Sequence, residues 1–482
     1  MSAEPQWPVN TYAGGLTSRR KTIVLASCCL SLLIVSMDAT IVNVAIPAIR
    51  ADLHASAPQL QWVIDVYTMA LASLLLLAGA AGDRFGRRRV FQTGLSVFAL
   101  GSLLCSLAPS IQLLIAARLV QGIGASMMNP VALSIISQIF TERVERARAL
   151  GIWGSVVGIA MALGPIVGGL LIQVIGWRAV FWINLPICAA AVILTAVFVP
   201  ESKSATMRDI DPIGQLLAVV ALFGLVFVLI EGPGLGWSDA RTVAVAATAT
   251  VAFLAFLRYE SHRHDPFIDL RFFGSIPFAS ATVIAVCAFA GWGAFLFMMS
   301  LYLQGVRGYS AMHTGLIYLP IAIGALFFSP LSGRLMGRYG ARPSLLASGL
   351  LITAASAMLA FLTATTPVWV IVIIFAVYGA GFGMVNAPVT EAAVSGMPQD
   401  RAGAASAVTS TSRQVGVGIG VALCGSLAGA ALSGNTAQFT DAARPLWWVS
   451  IGLGLCIVAL SVVSTSPRAY RSAERLSPLI GG

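Results

Sequence analysis

Fourteen stretches of this chain are apolar over roughly 20 residues, the length a helix needs to cross the hydrocarbon core of a membrane. They fall at 22–46, 60–80, 89–108, 111–138, 149–175, 179–199, 212–231, 241–258, 276–303, 312–333, 343–364, 367–390, 403–431 and 444–465. Inside lipid every backbone N–H and C=O needs an internal partner, so segments of this length and apolarity are predicted to be helices. The weakest is 241–258, short and rich in Ala, Val and Thr; without it the two chain ends would lie on opposite sides. Charged residues make up only 10% of the chain, against about 25% in a soluble domain. The expected fold class is therefore an all-α membrane protein with 14 transmembrane helices, solvated by lipid and by itself.

Orientation follows from where Lys and Arg collect. With the N-terminus inside, 22 of the 29 fall in cytoplasmic segments, five on the other side, and Arg118 and Arg413 inside spans. Both termini are thus expected in the cytoplasm, in the plasma (inner) membrane. The net charge of +10 is a product of topology, and no nucleic-acid partner is needed to explain it. The first apolar run follows Arg19-Arg20-Lys21 and is too long for a signal-peptide core, so it reads as an uncleaved helix. The seven cysteines all lie in apolar runs without paired spacing, and four histidines show no metal-ligand spacing.

A tight basic turn, Gly79-Ala-Ala-Gly-Asp-Arg-Phe-Gly-Arg-Arg-Arg89, joins the second and third spans. A weaker copy, Gly333-Arg-Leu-Met-Gly-Arg-Tyr-Gly-Ala-Arg342, follows about 254 residues later. Gly122-Ile-Gly124-Ala-Ser-Met-Met-Asn129-Pro130 is echoed by Gly379-Ala-Gly381-Phe-Gly-Met-Val-Asn386-Ala-Pro388, and Arg146 by Arg401, at nearly the same offset. Two related halves are expected, at 22–199 and 276–465, with a two-helix linker at 200–275 and polar tails at 1–21 and 466–482. Paired repeats around a central site are how many secondary transporters are built.

Six plus six spans with that basic turn after the second resemble the major facilitator superfamily. The resemblance sharpens with Asp38-Ala-Thr-Ile-Val-Asn43-Val-Ala-Ile-Pro47, Arg118-Leu-Val-Gln121-Gly-Ile-Gly124, Gly158-Ile-Ala-Met-Ala-Leu-Gly164-Pro165-Ile-Val-Gly168-Gly169 and Trp177-Arg-Ala-Val-Phe-Trp-Ile-Asn184-Leu-Pro186. Together, in order, these are similar to the fourteen-helix drug:proton antiporter branch of that superfamily. The resemblance implies that Asp38 and Arg118 serve proton coupling and cation recognition. It also implies that the Gly158, Gly164, Pro165, Gly168 and Gly169 stretch forms a tight seam against leak.

The residues alone point the same way. Charge inside a span is expensive and marks a functional site by default. By helical rise, Asp38, Arg118 and Asp65 fall at similar depth in the outer half of the membrane. An Asp and an Arg on neighbouring helices can neutralise each other, and a proton can open the pair. The bland reading of Asp38 and Arg118 is a satisfied polar bridge; for Asp65 it is a solvated interfacial acid. Glu391 and Glu231 read as solvated helix ends. Arg413, with no acid in its own span, either faces a cavity or bonds to carbonyls of a neighbouring helix. Asn43, Tyr67, Gln121, Trp292, Phe295, Met299, Arg413 and Gln414 are the cavity candidates, although helix packing or lipid contact suits most of the aromatic and Met side chains as well. In the basic turn, Gly79, Asp83, Arg84, Gly86, Arg87 and Arg88 are expected to form a cytoplasmic gate latch, Asp83 pairing with Arg87 or Arg88 or meeting a helix N-terminus. Gly337 stands in the second copy where Asp83 stands in the first, so the latch belongs to the first half.

The Gly-x-Gly-x-Gly run near 416–420 follows no strand and is no dinucleotide site. Nothing resembles an ATP-binding loop, so the energy source is expected to be a proton gradient, with no cofactor and no enzyme activity. The leading expectation is a monomeric antiporter that exports small lipophilic or cationic compounds by alternating access. Alternatives are an exporter for one endogenous metabolite or antibiotic, and a non-transporting sensor or scaffold.

Overall fold

The computed structural model describes residues 17–203, 211–263, 268–394, 402–432 and 438–480. Among these every regular element is a helix. In chain order they are α1 (Ser18–Leu53), α2 (Ala57–Phe85), α3 (Arg87–Leu107), α4 (Ile111–Ile139), α5 (Arg143–Val174), α6 (Ala179–Trp182) and α7 (Asn184–Phe198). There follow α8 (Pro212–Leu235), α9 (Ala240–Glu260), α10 (Ile276–Leu301), α11 (Ala311–Tyr339), α12 (Ala341–Ala360), α13 (Val368–Val394), α14 (Ala402–Leu432), α15 (Phe439–Ser464) and the short α16 (Pro467–Ile480). Arg401 and His264 lie outside the described residues.

Local chemistry sets the helix starts. Ser56 accepts from the Gln59 N–H while the Gln59 side chain accepts from the Ser56 N–H, a complete capping box. Ser110 and Ser310 cap α4 and α11 by the first of these bonds alone, their hydroxyls accepting from the Leu113 and His313 N–H. The two basic turns end alike: Gly86 (φ 112°) separates α2 from α3, and Gly340 (φ 77°) separates α11 from α12. Both are in a region that favours glycine, so the repeat seen in the sequence is also a repeat of backbone shape.

Among the described residues eleven helices are long and apolar enough to cross a membrane, or twelve if the bent pair Ala57–Leu75 and Leu77–Phe85 is one span. The doubtful stretch 241–258 is one of them, as α9. The expected fourteen exceeds this count. α5 and α14 occupy the fifth and thirteenth predicted spans as helices of 32 and 31 residues, but fall outside it. The chain is a multi-pass, all-helical membrane protein.

α1 packs on α5 and α7, α2 on α4, and α3 on α4; α10 packs on α14 and α15, α11 on α13, and α12 on α13 and α15. The two groups meet along α2 with α14 and α5 with α11. The α8–α9 hairpin sits on the rim of that junction, α8 touching both α2 and α14 while α9 rests on α8. Two side chains fasten α8 to α2. Gln215 donates to the Ser73 carbonyl at 2.5 Å, and the Trp62 indole donates to Glu231 at 2.9 Å. Glu231 is therefore an anchor of the hairpin, not merely a solvated helix end.

Candidate functional site

Asp38 of α1 and Arg118 of α4 meet in the interior of the first helical group, 0% and 1% exposed. Arg118 Nη1 lies 2.5 Å from Asp38 Oδ2 and 2.7 Å from Gln121 Oε1, while its Nε donates to the Val63 carbonyl at 2.9 Å. Gln121 Nε2 donates to Asp38 Oδ1 at 3.0 Å and to Ser102 Oγ at 2.9 Å. Asn184 Nδ2 completes the shell, 3.4 Å from Asp38 Oδ1 and 3.3 Å from Ser102 Oγ. The guanidinium lies over the Tyr67 ring, 4.1 Å from its centroid. A buried ion pair persists only when its remaining donors and acceptors are met, and here α1, α2, α3, α4 and α7 all contribute.

Glycines let these helices come close enough. A Cβ on Gly101 would lie 2.6 Å from the Gln121 nitrogen, and one on Gly122 would lie 2.7 Å from the Tyr67 carbonyl oxygen. Such distances leave no room for a side chain, so α3 and α2 reach α4 only where α4 or its neighbour lacks one. Ser102, Asn184 and Cys105, whose Sγ lies 3.8 Å from Gln121 Oε1, were not singled out by sequence reasoning. Asn184 did stand in a quoted motif, but its distance of 146 residues from Asp38 gave no sign of contact.

Asp65 does not join this network. Its carboxylate is fully buried with neither oxygen hydrogen-bonded among the described residues. It faces the other helical group, where a Cβ on Gly418 of α14 would be 3.5 Å from Asp65 Oδ1. Asn43 bonds back to the Ala39 carbonyl at 2.9 Å; among the described residues neither its Oδ1 nor the Tyr67 hydroxyl has a partner.

Of the two readings of the aromatic candidates, cavity wall and helix packing, the second describes them in this conformation. Phe295 and Met299 are completely shielded from solvent, and Trp292 nearly so. Phe295 stacks on Tyr378 at 4.4 Å and Trp292 on Phe382 at 4.3 Å. Close packing between α10 and α13 consumes these faces in this conformation. Arg413 and Gln414 are half-buried, and Arg413 donates to the Asn386 carbonyl at 3.2 Å and to Thr390 Oγ1 at 2.6 Å.

In the basic turn Asp83 Oδ1 accepts from Arg87 Nη2 at 2.9 Å and Nε at 3.2 Å, and Arg87 Nη1 donates to Gln138 at 3.1 Å. Arg84 is exposed, and Gly79 makes ordinary contact with Pro130. Arg88 contributes its backbone N–H to Glu201 Oε1 at 3.1 Å, and Arg89 Nε lies 3.7 Å from the other Glu201 oxygen. Glu201, at the end of the sixth predicted span, was missed because only folding brings it to the turn.

Gly164 and Gly168 face α1, at Thr40 and Ile41, inside their own helical group. The contact with α11 runs through their neighbours: a Cβ on Gly169 would lie 2.5 Å from the Ala311 carbonyl, and Gly315 abuts the Pro165 carbonyl. Stepping one residue along a helix turns the side chain by about 100°, so a small-residue stripe read from sequence can point to either neighbour. The surroundings of Gly158 lie outside the described residues. Hydrogen bonds from side chains between the two groups, among the described residues, also lie at the end opposite the basic turns. Gln61 donates to the Val421 carbonyl at 2.5 Å and Gln304 to the Val44 carbonyl at 2.9 Å.

The sequence matches the Major Facilitator Superfamily over residues 28–421. The chain belongs to this superfamily. It is 37% identical to the multidrug resistance protein Stp of Mycobacterium tuberculosis over 430 residues, 89% of this chain and 80% of that protein. It is 36% identical to the tetracenomycin C resistance and export protein of Streptomyces glaucescens over 426 residues, 88% and 79% of the two chains. Among solved structures, a bacterial homologue of the human lysosomal transporter Spinster, in an inward-facing and unoccupied conformation, aligns with 96% of this chain and 99% of its own. Its TM-score is 0.62 at 20% identity. These relatives place the chain in a transporter superfamily, related to drug and antibiotic resistance efflux proteins and not to enzymes.

Proposed function

We propose that this protein is a proton-driven exporter of small amphipathic or cationic compounds, with 14 transmembrane helices and both termini in the cytoplasm. Its working parts are two six-helix halves, α1–α7 and α10–α15, which rock about the α2–α14 and α5–α11 contacts; α8 and α9 are the linker between them. The observation that carries the reading is the Asp38–Arg118 pair, sealed from water and held by Gln121 and Asn184. A proton on Asp38 neutralises the carboxylate, releases Arg118 to Gln121 and the Val63 carbonyl, and so couples charge to helix position. Asp65, buried without a partner where α2 faces α14, is a second acid able to take up a proton as the halves move.

On this orientation the close contacts through Gln61, Gln304, Gly169 and Gly315 lie on the outer side, so the conformation faces inward. Asp83 then pairs with Arg87 in its own half, and its latch role belongs to the outward-facing state. A dedicated exporter of one antibiotic is the second reading, supported by the similarity to the tetracenomycin C protein, which nearly equals that to Stp. The test is uptake of ethidium into proteoliposomes under an imposed pH gradient, comparing wild type with Asp38→Asn. Proton-driven transport should be abolished by the substitution; undiminished transport would refute the mechanism. Competition by unrelated lipophilic cations separates the broad from the dedicated exporter.

A further inference from the structure

Arg413 is the one intramembrane arginine of the second half, and it differs in kind from Arg118. Where Arg118 meets a carboxylate, the contacts of Arg413 among the described residues are neutral: the Asn386 carbonyl, the Thr390 hydroxyl and the face of Phe289, 5.8 Å away. Its Nε is buried with no partner, and no carboxylate pairs with it among the described residues. A guanidinium has five donors in a fixed fork, and among the described residues one terminal nitrogen is engaged. A charge half-buried and left like this is costly unless something else supplies the anion.

Beside it stands an aromatic wall. Phe289 meets Phe382 edge-on at 5.0 Å, and Phe382 in turn stacks on Trp292 at 4.3 Å. The guanidinium and the rings belong to three helices, α10, α13 and α14, that meet within one half. A carboxylate or phenolate is the group that would fit the free edge of the fork, by charge and by paired hydrogen bonds. A flat ring system carrying it would lie against the half-buried Phe289, because Phe382 is already covered by Trp292.

We infer that Arg413 is the anchor of a substrate subsite for planar aromatic anions, in which a carboxylate or phenolate binds the guanidinium and the ring system packs on Phe289. The subsite is separate from the Asp38–Arg118 pair, so the protein handles substrates of both charges. The inference rests on the reading of the chain as an exporter, but binding can be measured without transport.

The experiment titrates fluorescein, a planar aromatic anion, and ethidium, a planar aromatic cation, onto purified full-length protein by fluorescence anisotropy. Arg413→Gln should raise the Kd for fluorescein about tenfold or more, which corresponds to about 1.4 kcal/mol. Ethidium binding should be unchanged or tighter, which also certifies the fold of the variant. Arg413→Lys keeps the charge without the fork and should recover part of the fluorescein affinity. The inference is overturned if wild type does not bind fluorescein, or if Arg413→Gln changes both dyes equally. Failure of ethidium transport in proteoliposomes alongside charge-selective dye binding would instead sink the exporter reading and leave the subsite standing.

Discussion

Gly169→Ala offers a direct test of how the two halves share one seam. The added Cβ would lie 2.5 Å from the Ala311 carbonyl oxygen and 2.8 Å from the Met312 Cα, where ordinary contact begins near 3.4 Å. Both obstacles are backbone atoms, so no side-chain rotation relieves them, and α5 must withdraw from α11 by about 0.9 Å. Overpacking of this size costs about 1–3 kcal/mol. If the halves rock, the cost falls only on the state in which this seam is closed. The equilibrium should therefore move about 5–150-fold toward the opposite state. Spin labels on unnatural side chains at His54 and Thr365, exposed positions in the α1–α2 and α12–α13 turns, would report the separation of the halves at this end by pulsed EPR. The long-distance population should grow in Gly169→Ala and stay as in wild type in Gly337→Ala, where a Cβ meets nothing within 4 Å. An unchanged distribution, or a shorter one, would refute the idea that the seam opens and closes.

Other outcomes follow from the same coordinates. Arg118→Met leaves the Asp38 carboxylate buried without its ion-pair partner and should destabilise the protein by about 3–5 kcal/mol, read as a large drop in thermal unfolding temperature in detergent. Asp65→Asn removes a carboxyl with no hydrogen bonds, so melting should be unchanged or higher while pH-driven transport fails. Glu231→Gln weakens the Trp62 contact to α8 by about 1 kcal/mol, and hydrogen exchange should rise selectively in α8. Gly86→Ala forces a side chain into φ 112° and onto Glu201 Oε1 at 2.6 Å. It should lower stability by more than about 1 kcal/mol, and unfolding measurements would show a smaller effect for Gly337→Ala.

Much of this architecture was written in local sequence. Apolar runs of membrane length gave helices at every predicted position, down to the marginal α9. Ser at helix starts and glycine at the two basic turns marked the breaks, because capping and positive φ depend on the few residues around them. The Asp38 and Arg118 positions were also legible, since a charge within an apolar span stands out wherever the helix lies. The direction each helix face takes was not. Asn184 reaches Ser102 and Asp38 across 82 and 146 residues, and Glu201 reaches Arg88 across 113, and nothing in their immediate neighbourhoods points there. Phe295 is hidden although its ring suited a cavity wall, because Tyr378 and Phe375 of α13 lie against it. Gly164, Gly168 and Gly169 show the limit most clearly: the sequence alone determined that α5 would carry a close-approach surface. Only the tertiary packing decided that the first two glycines press on α1 and the third on α11. Helix formation is settled by each residue and its neighbours within a turn, whereas which face meets which helix depends on the shapes of all the helices at once.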